Sequence, residues 1–245
     1  SPSRNHAHQL HRWGWRNRPW TVVHNGLDPE LYTDAPEWKS RSLDVGYWSS
    51  PDRGLQHLLK AWPEVKAKVP TARLHVFYEI DRWLGTGAAR ALGPYGDRAR
   101  LMLHELLPQA KADSSIIFHG AVTRKTLAKT QVKCRVQCYS FQPVYFVEGF
   151  GGAVNQGIAA GCHVLLTPHD AFATLYEDAV TWMPKDPTEM DKVLPRMIIR
   201  ALTDEQWSME QVARAAPYRF QYTWAKAGEQ IERAVHRQWD WANDV

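Results

Sequence analysis

Short apolar runs recur along this 245-residue chain, and a stretch with helical character follows most of them. Several runs are continuously apolar, which is typical of strands that are buried on both faces of a sheet. Strands that alternate with helices indicate a parallel sheet covered on both sides, so we predict a Rossmann-like α/β fold. The predicted strands are residues 21–24, 43–48, 72–78, 115–119, 134–139 and 162–166.

Capping residues and a period of about 3.6 residues mark the helices between these strands. Ser50 is the predicted N-cap of the first helix, with Pro51 at its first position, and Thr123 is the predicted N-cap of a shorter one. The last third of the chain is mostly helical. The predicted helices are 51–65, 97–111, a short segment after 123, 152–160, 188–202, 204–215 and 222–241.

Composition narrows the class of protein. No apolar run approaches the roughly 18–20 residues that span a membrane. Cys134, Cys138 and Cys162 form neither an even disulfide framework nor a metal-binding pair, so we expect a reducing, cytoplasmic setting. The net charge is +4 and the basic residues are scattered, so we expect no nucleic-acid partner. A phosphate-rich ligand, or at most peripheral contact with the inner face of a membrane, is compatible with this charge.

A glycine-rich run lies between the fifth and sixth predicted strands: Glu148-Gly149-Phe150-Gly151-Gly152. Its carboxylate suits sugar hydroxyls, and free amides at a helix N-terminus suit phosphate oxygens. Parallel sheets bind ligands beyond the carboxyl ends of their strands. We therefore expect the loops after Trp48, Gly120 and Tyr139 to converge with this run on one cleft.

The order of motifs resembles the C-terminal, donor-binding half of a GT-B glycosyltransferase of the retaining group called family 4. The resemblance runs from about residue 20 to the end. It implies a nucleotide-sugar-binding domain over 20–245, and we expect 1–19 to be a connector from an N-terminal domain outside this sequence. The motifs that carry it are residues 23–28, 46–55, 74–78, 117–120 and 148–162.

The resemblance implies roles for Arg53, in the turn after the second predicted strand, and for the glycine-rich run. Arg53 would bind the donor diphosphate, and Glu148 would bind hydroxyls of the donor sugar; these are the predicted catalytic residues. Gly149, Phe150 and Gly151 would present backbone amides to the sugar and phosphate. A guanidinium suits this task because it stays charged and offers a fork of donors.

Further positions follow from the same resemblance. Ser49, Ser50 and Gly54 would lie near the donor phosphates. Val122 and Arg124 would lie in the loop that binds the nucleotide base. In this family a second glutamate, separated from the first by seven residues, usually binds the ribose; here Gln156 stands in its place. An amide can still bind ribose hydroxyls, but without charge, so we expect weakened donor binding.

The resemblance implies transfer of a sugar, with retention of configuration, from a nucleotide-sugar to a glycan or lipid-linked saccharide. It implies no metal and no cofactor. The acceptor site would belong to a missing N-terminal domain or to a partner subunit, and the last helix, with Trp224, Ile231, Val235 and Trp239 on one side, would pack toward it.

Two alternatives stay open. The replacement at Gln156 is compatible with a non-catalytic nucleotide or nucleotide-sugar binding module that acts as an interaction subunit. A dehydrogenase is disfavoured, because no G-x-G-x-x-G run follows an early strand.

Overall fold

The computed structural model describes Ser3, Ala7, His8 and residues 21–85, 93–140 and 148–236, with the backbone alone for 93–98. Six strands, each parallel to its neighbours, form one sheet in the order β3-β2-β1-β4-β5-β6. This arrangement confirms the predicted Rossmann-like α/β class. The strands are β1 (Asp44–Tyr47), β2 (Arg73–Phe77), β3 (Ile116–Gly120), β4 (Val136–Tyr139), β5 (His163–Leu166) and β6 (Thr181–Trp182).

Helices connect these strands and continue beyond the sheet. All seven predicted helices are present, with changed ends; the short α-helices after β2 and after β5 and the last strand were not predicted from the sequence. The helices are α1 (Leu55–Lys68), α2 (Ile80–Gly85), α3 (Gly93–Ala112), α4 (Arg124–Gln131), α5 (Gly152–Ala159), α6 (Phe172–Leu175), α7 (Pro187–Thr203), α8 (Glu205–Ala215) and α9 (Trp224–Val235).

Two apolar cores lie on opposite faces of the sheet because successive strand residues point to opposite sides. In β5, Leu165 belongs to one core, while Val164 and Leu166 belong to the other. The first core is built with α1, α3 and α7, and the second with α4 and α5. Burial on both faces explains why these strands are continuously apolar in the sequence.

The prediction of a strand at 21–24 is wrong. β-branched residues favour an extended backbone, but this segment finds its hydrogen bonds beside α9 instead of in the sheet. The His24 N–H donates to Gln230 Oε1 at 2.9 Å, and the Leu27 N–H donates to the Tyr222 carbonyl at 3.3 Å. The segment therefore links the start of the described domain to its last helix.

The predicted start of the first helix, at Ser50 and Pro51, is also wrong. Residues 50–53 form a turn, in which the Arg53 N–H donates to the Ser50 carbonyl at 2.8 Å. The helix begins at Leu55, and Gly54 is its N-cap, in the left-handed region with φ of 99°. Thr123, by contrast, caps α4 as predicted, accepting a hydrogen bond from the Thr126 N–H at 3.2 Å.

Several predictions fall outside the described residues: most of the connector at 1–19, Trp239, and the end of the last predicted helix beyond 236. Within the described ranges, none of the helices is both long enough and apolar enough to cross a membrane.

Candidate functional site

The strand order reverses between β1 and β4, because β2 and β3 lie on one side of this pair and β5 and β6 on the other. In open parallel sheets a crevice forms outside the carboxyl ends of the strands at such a point. Arg53 follows β1, and Glu148 follows the segment after β4. These two predicted catalytic residues meet there: Arg53 Nη1 forms an ion pair with Glu148 Oε2.

The Glu148 carboxylate also accepts hydrogen bonds at the N-terminus of α5. Its Oε1 accepts hydrogen bonds from the Gly151 N–H at 2.9 Å and the Phe150 N–H at 3.3 Å. Its own N–H donates to Asp170 Oδ2 at 2.9 Å, and Asp170 adopts an unusual positive φ of 49°. The amides predicted to bind a donor are thus presented at a helix N-terminus, where a negative charge already occupies them.

Gly151, the N-cap of α5, makes this turn possible. Its φ is 73°, a left-handed conformation that favours glycine. A side chain here would also overlap the ring of Phe172, which is fully buried beneath the turn. Gly149 lies in the same bend between Glu148 and the helix.

The Arg53 guanidinium is largely buried, with 15% of its side chain exposed. Burial acts to lower its pKa, but the acidic groups of Tyr139, Glu148 and Asp52 outweigh burial and raise it. Arg53 Nε lies 3.3 Å from Asp52 Oδ2. Arg53 is therefore a permanent positive charge held at a fixed place beside the N-terminus of α5.

The other predicted phosphate-side residues line the same turn. Ser50 Oγ contacts Asp52 Oδ1, and Ser49 Oγ donates to the Tyr139 hydroxyl at 3.3 Å. Gly54 is held against the end of β4, where Ser140 Oγ donates to the Gly54 carbonyl at 2.8 Å. Both serine hydroxyls are thus already engaged by neighbouring side chains.

Gln156 lies one turn along α5 from this cluster. Its Oε1 accepts a hydrogen bond from Gln131 Nε2 at 3.2 Å, and Gln131 Oε1 accepts one from the Tyr32 hydroxyl at 2.9 Å. A glutamate could accept the same bond from Gln131, but with a negative charge. The structure therefore places Gln156 in a chain of amides and a hydroxyl that links α5 to α4.

A cavity of about 520 Å³ opens at the carboxyl ends of β1, β2 and β3. Val122, predicted to bind the base, lines it. Arg124 instead turns toward Asp28, with 3.8 Å between Nη1 and Oδ2. Trp48, Gly120 and Ala121, from two of the loops expected to converge on one cleft, line it too. None of the other lining residues was predicted as a site residue: Phe77, Tyr78, Glu79, Arg82, Trp83 and Leu127.

Two histidines at strands have structural partners. His163 is fully buried between Ser208 Oγ and Thr181 Oγ1, each 2.8 Å from a ring nitrogen, and burial lowers its pKa to about 3. His119 stacks on Phe77 with 4.2 Å between ring centroids. Among the described residues, no group of three or more His, Cys, Asp or Glu side chains is placed to hold a metal ion.

Comparison with known proteins identifies the architecture. No family model matches the chain, and no curated protein matches it. Solved structures match it at low identity. HepE of Anabaena in complex with UDP and glucose is 16% identical over 97% of this chain and 62% of its own, with a TM-score of 0.72.

Two further solved structures are similar to this chain over almost its whole length. Sucrose-phosphate synthase from Thermosynechococcus elongatus is 14% identical over 96% of this chain and 57% of its own, with a TM-score of 0.66. A glycosyltransferase from Rickettsia africae is 11% identical over 97% of this chain and 63% of its own, with a TM-score of 0.65. The chain thus spans about three fifths of each structure. The likeness shows the fold, a Rossmann-like half of the GT-B architecture.

Proposed function

We propose that this chain is the C-terminal, donor-binding half of a retaining GT-B glycosyltransferase of family 4. It would take a sugar from a nucleotide-sugar and pass it to a glycan or lipid-linked saccharide. The shared half-domain fold supports nucleotide-sugar chemistry, since structures with this fold include one in complex with UDP-glucose and one named as a glycosyltransferase. Fold alone does not define function, so the proposal rests on the site.

The observation that carries the proposal is the meeting of Arg53, Glu148 and the N-terminus of α5 at the strand-order reversal. A guanidinium and a helix N-terminus both favour a diphosphate. A carboxylate beside them suits sugar hydroxyls. The adjoining cavity, lined by Val122 and aromatic rings, would hold the base. The region thus offers partners for the diphosphate, the sugar and the base of a nucleotide-sugar.

In this proposal, the protein accelerates the reaction by stabilising the leaving diphosphate. The bond between the anomeric carbon and the diphosphate oxygen breaks, and the electron pair stays on the diphosphate. Arg53 and the amides of Phe150 and Gly151 would stabilise the charge that develops there. The acceptor hydroxyl then bonds to the anomeric carbon on the same face and passes its proton to the departing diphosphate oxygen. These reaction steps require no metal ion.

Glu148 would exchange partners when the donor arrives. Without a ligand, its carboxylate holds both Arg53 and the amides of α5, which the diphosphate needs. A bound diphosphate would displace the carboxylate from these groups and free it to accept hydrogen bonds from sugar hydroxyls. A sugar attached to the nucleotide therefore offers Glu148 a replacement partner.

The acceptor would be bound by an N-terminal domain or a partner subunit. The outer side of α9 is suited to such a contact, because Trp224, Ile231 and Val235 are 45%, 52% and 72% exposed. An exposed apolar stripe of this kind marks a surface that packs on another domain. We place the protein in the cytoplasm, with at most peripheral contact at the inner membrane face.

One observation favours a second candidate, a non-catalytic binding module. Gln156 stands where the resembled family usually has a ribose-binding glutamate, and its Oε1 already accepts a hydrogen bond from Gln131 Nε2. Gln156→Glu would then strengthen nucleotide binding, since a carboxylate accepts stronger hydrogen bonds from ribose hydroxyls. Unchanged nucleotide affinity in calorimetry would contradict a ribose role for this position.

Calorimetric titration with nucleoside diphosphates and nucleotide-sugars tests the proposal. Arg53→Gln should abolish measurable binding, whereas the matched control Arg196→Gln, an exposed arginine on α7, should leave binding unchanged. Glu148→Gln should raise diphosphate affinity, because it removes the charge that competes for Arg53, but it should remove the extra affinity that the attached sugar gives. Binding that is insensitive to Arg53→Gln would refute the proposed site.

A further inference from the structure

The cavity at the ends of β1–β3 has flat, apolar surfaces. Four aromatic side chains line it: Trp48 directly follows β1, Phe77 is the last residue of β2, and Tyr78 and Trp83 lie beyond β2. Aromatic side chains stack on bases regardless of base identity. A volume of about 520 Å³ admits a purine as readily as a pyrimidine. The rings therefore explain why a base would bind, but they do not select one.

Two charged side chains also line the cavity, Glu79 and Arg82. They are three residues apart, with Glu79 directly before α2 and Arg82 within this helix, a spacing that puts side chains on one side of a helical turn. The Glu79 carboxylate lies beside the end of β3, since Oε1 is 3.9 Å from the place of a Cβ on Gly120. Both side chains are exposed to the solvent of the open cavity.

Within the described ranges, neither Glu79 nor Arg82 uses its charged group in a hydrogen bond or an ion pair. The neighbouring Asp81 differs, because its carboxylate pairs with Lys111 at 2.8 Å. Glu79 and Arg82 thus offer a carboxylate and a guanidinium to whatever enters the cavity.

We propose that this cavity selects guanine, so that the donor is a guanosine diphosphate sugar; this inference rests on the proposed donor site. Guanine presents two adjacent donors, the N1–H and the 2-amino group, which match the two oxygens of the Glu79 carboxylate. It also presents the acceptors O6 and N7, which a guanidinium binds in a fork. Glu79 and Arg82 complement both edges.

Other bases fit this pair less well. Uracil has one N–H between two carbonyl oxygens, and a carboxylate that accepts from the N–H is repelled by both. Adenine offers its amino group beside an unprotonated ring nitrogen, so the second carboxylate oxygen finds no donor. Specificity of this kind comes from polar groups that the wrong ligand leaves unpaired.

Calorimetry of the chain with GDP, IDP, UDP and ADP tests the inference. IDP is GDP without the 2-amino group, so it isolates the second hydrogen bond to Glu79. We expect GDP to bind about tenfold more tightly than IDP, which is the usual effect of one hydrogen bond to a charged group. We expect the difference in affinity between GDP and UDP to be larger than this. Thermal unfolding of each variant checks that it is folded.

The variants separate Glu79 from its surroundings. Glu79→Gln should bring GDP and IDP to nearly equal affinity, while Asp81→Asn, at a neighbouring carboxylate that pairs with Lys111 and does not line this cavity, should leave their ratio unchanged. Arg82→Gln should weaken GDP and IDP alike, because both carry O6 and N7. Tightest binding of UDP, or a GDP to IDP ratio unaffected by Glu79→Gln, overturns the guanine inference and leaves the donor site intact. Binding of none of the four nucleotides contradicts the donor site and the guanine inference together.

Discussion

Gly157→Ala should destabilise the protein, although alanine is the better helix former. Gly157 lies within α5, against the fully buried side chain of Gln137 on β4. A Cβ at this position would lie under 3.0 Å from Gln137 Oε1, closer than real Cβ atoms approach, and 3.3 Å from Trp48 Cζ2. Gln137 could give way only by losing the hydrogen bond from its Nε2 to the Ala153 carbonyl, which is 2.9 Å long.

The magnitude follows from opposing contributions. Replacing a helical glycine with alanine gains about 1 kcal/mol from helix propensity. Leaving a buried amide without its partner costs about 1–3 kcal/mol. Crowding a packed core costs about 1–3 kcal/mol more. We therefore expect Gly157→Ala to lower the free energy of unfolding by about 3 kcal/mol, the middle of the range that these contributions allow.

Urea unfolding measures this change, and Gly228→Ala is its matched control. Gly228 is exposed within α9, and an added Cβ there meets no atom within 4 Å, so Gly228→Ala should raise the free energy of unfolding. In a Gln137→Ala background, Gly157→Ala should cost less, because the obstructing amide is gone. Equal stabilisation by Gly157→Ala and Gly228→Ala would refute this reasoning.

Two further predictions concern stability. His163 has a pKa of about 3 in the folded protein, so between pH 6.5 and 3 the unfolded state binds its proton preferentially and the free energy of unfolding falls as the pH falls. The free energy of unfolding measured in urea should fall by about 2 kcal/mol between pH 8 and 5 because of this histidine. His163→Gln should make the free energy of unfolding depend less on pH; an unchanged pH dependence would contradict a buried, neutral His163. Gly54→Ala should destabilise by about 2 kcal/mol or more, since φ is 99° and a Cβ would overlap the Ser140 carbonyl. Thermal unfolding tests it beside Gly152→Ala, where an added Cβ meets open space; equal melting temperatures would exclude strain at Gly54.

The sequence predicted the features that local patterns encode. Continuous apolar runs located five of the six strands, and Thr123 was correctly assigned as a cap because a side-chain oxygen at that position satisfies the Thr126 N–H. The strand proposed at 21–24 failed because its hydrogen-bond partners, such as Gln230, lie more than two hundred residues away. No local pattern reports such a partner.

The site was only partly predictable. The family motifs brought Arg53 and Glu148 into consideration, and the sheet places them in contact. The engagement of Glu148 with the amides of its own turn depends on side-chain rotation, which motifs do not specify. The cavity residues Glu79 and Arg82 were missed because they become neighbours of Val122 only when β2 and β3 pair.

A crystal structure of this chain with a bound nucleoside diphosphate tests the central claim most directly. We predict that the diphosphate oxygens lie within hydrogen-bond distance of Arg53 and the N-terminal amides of α5, with the base in the cavity beside Trp48 and Val122. A diphosphate bound away from Arg53, or a base outside that cavity, would contradict the donor site that we propose.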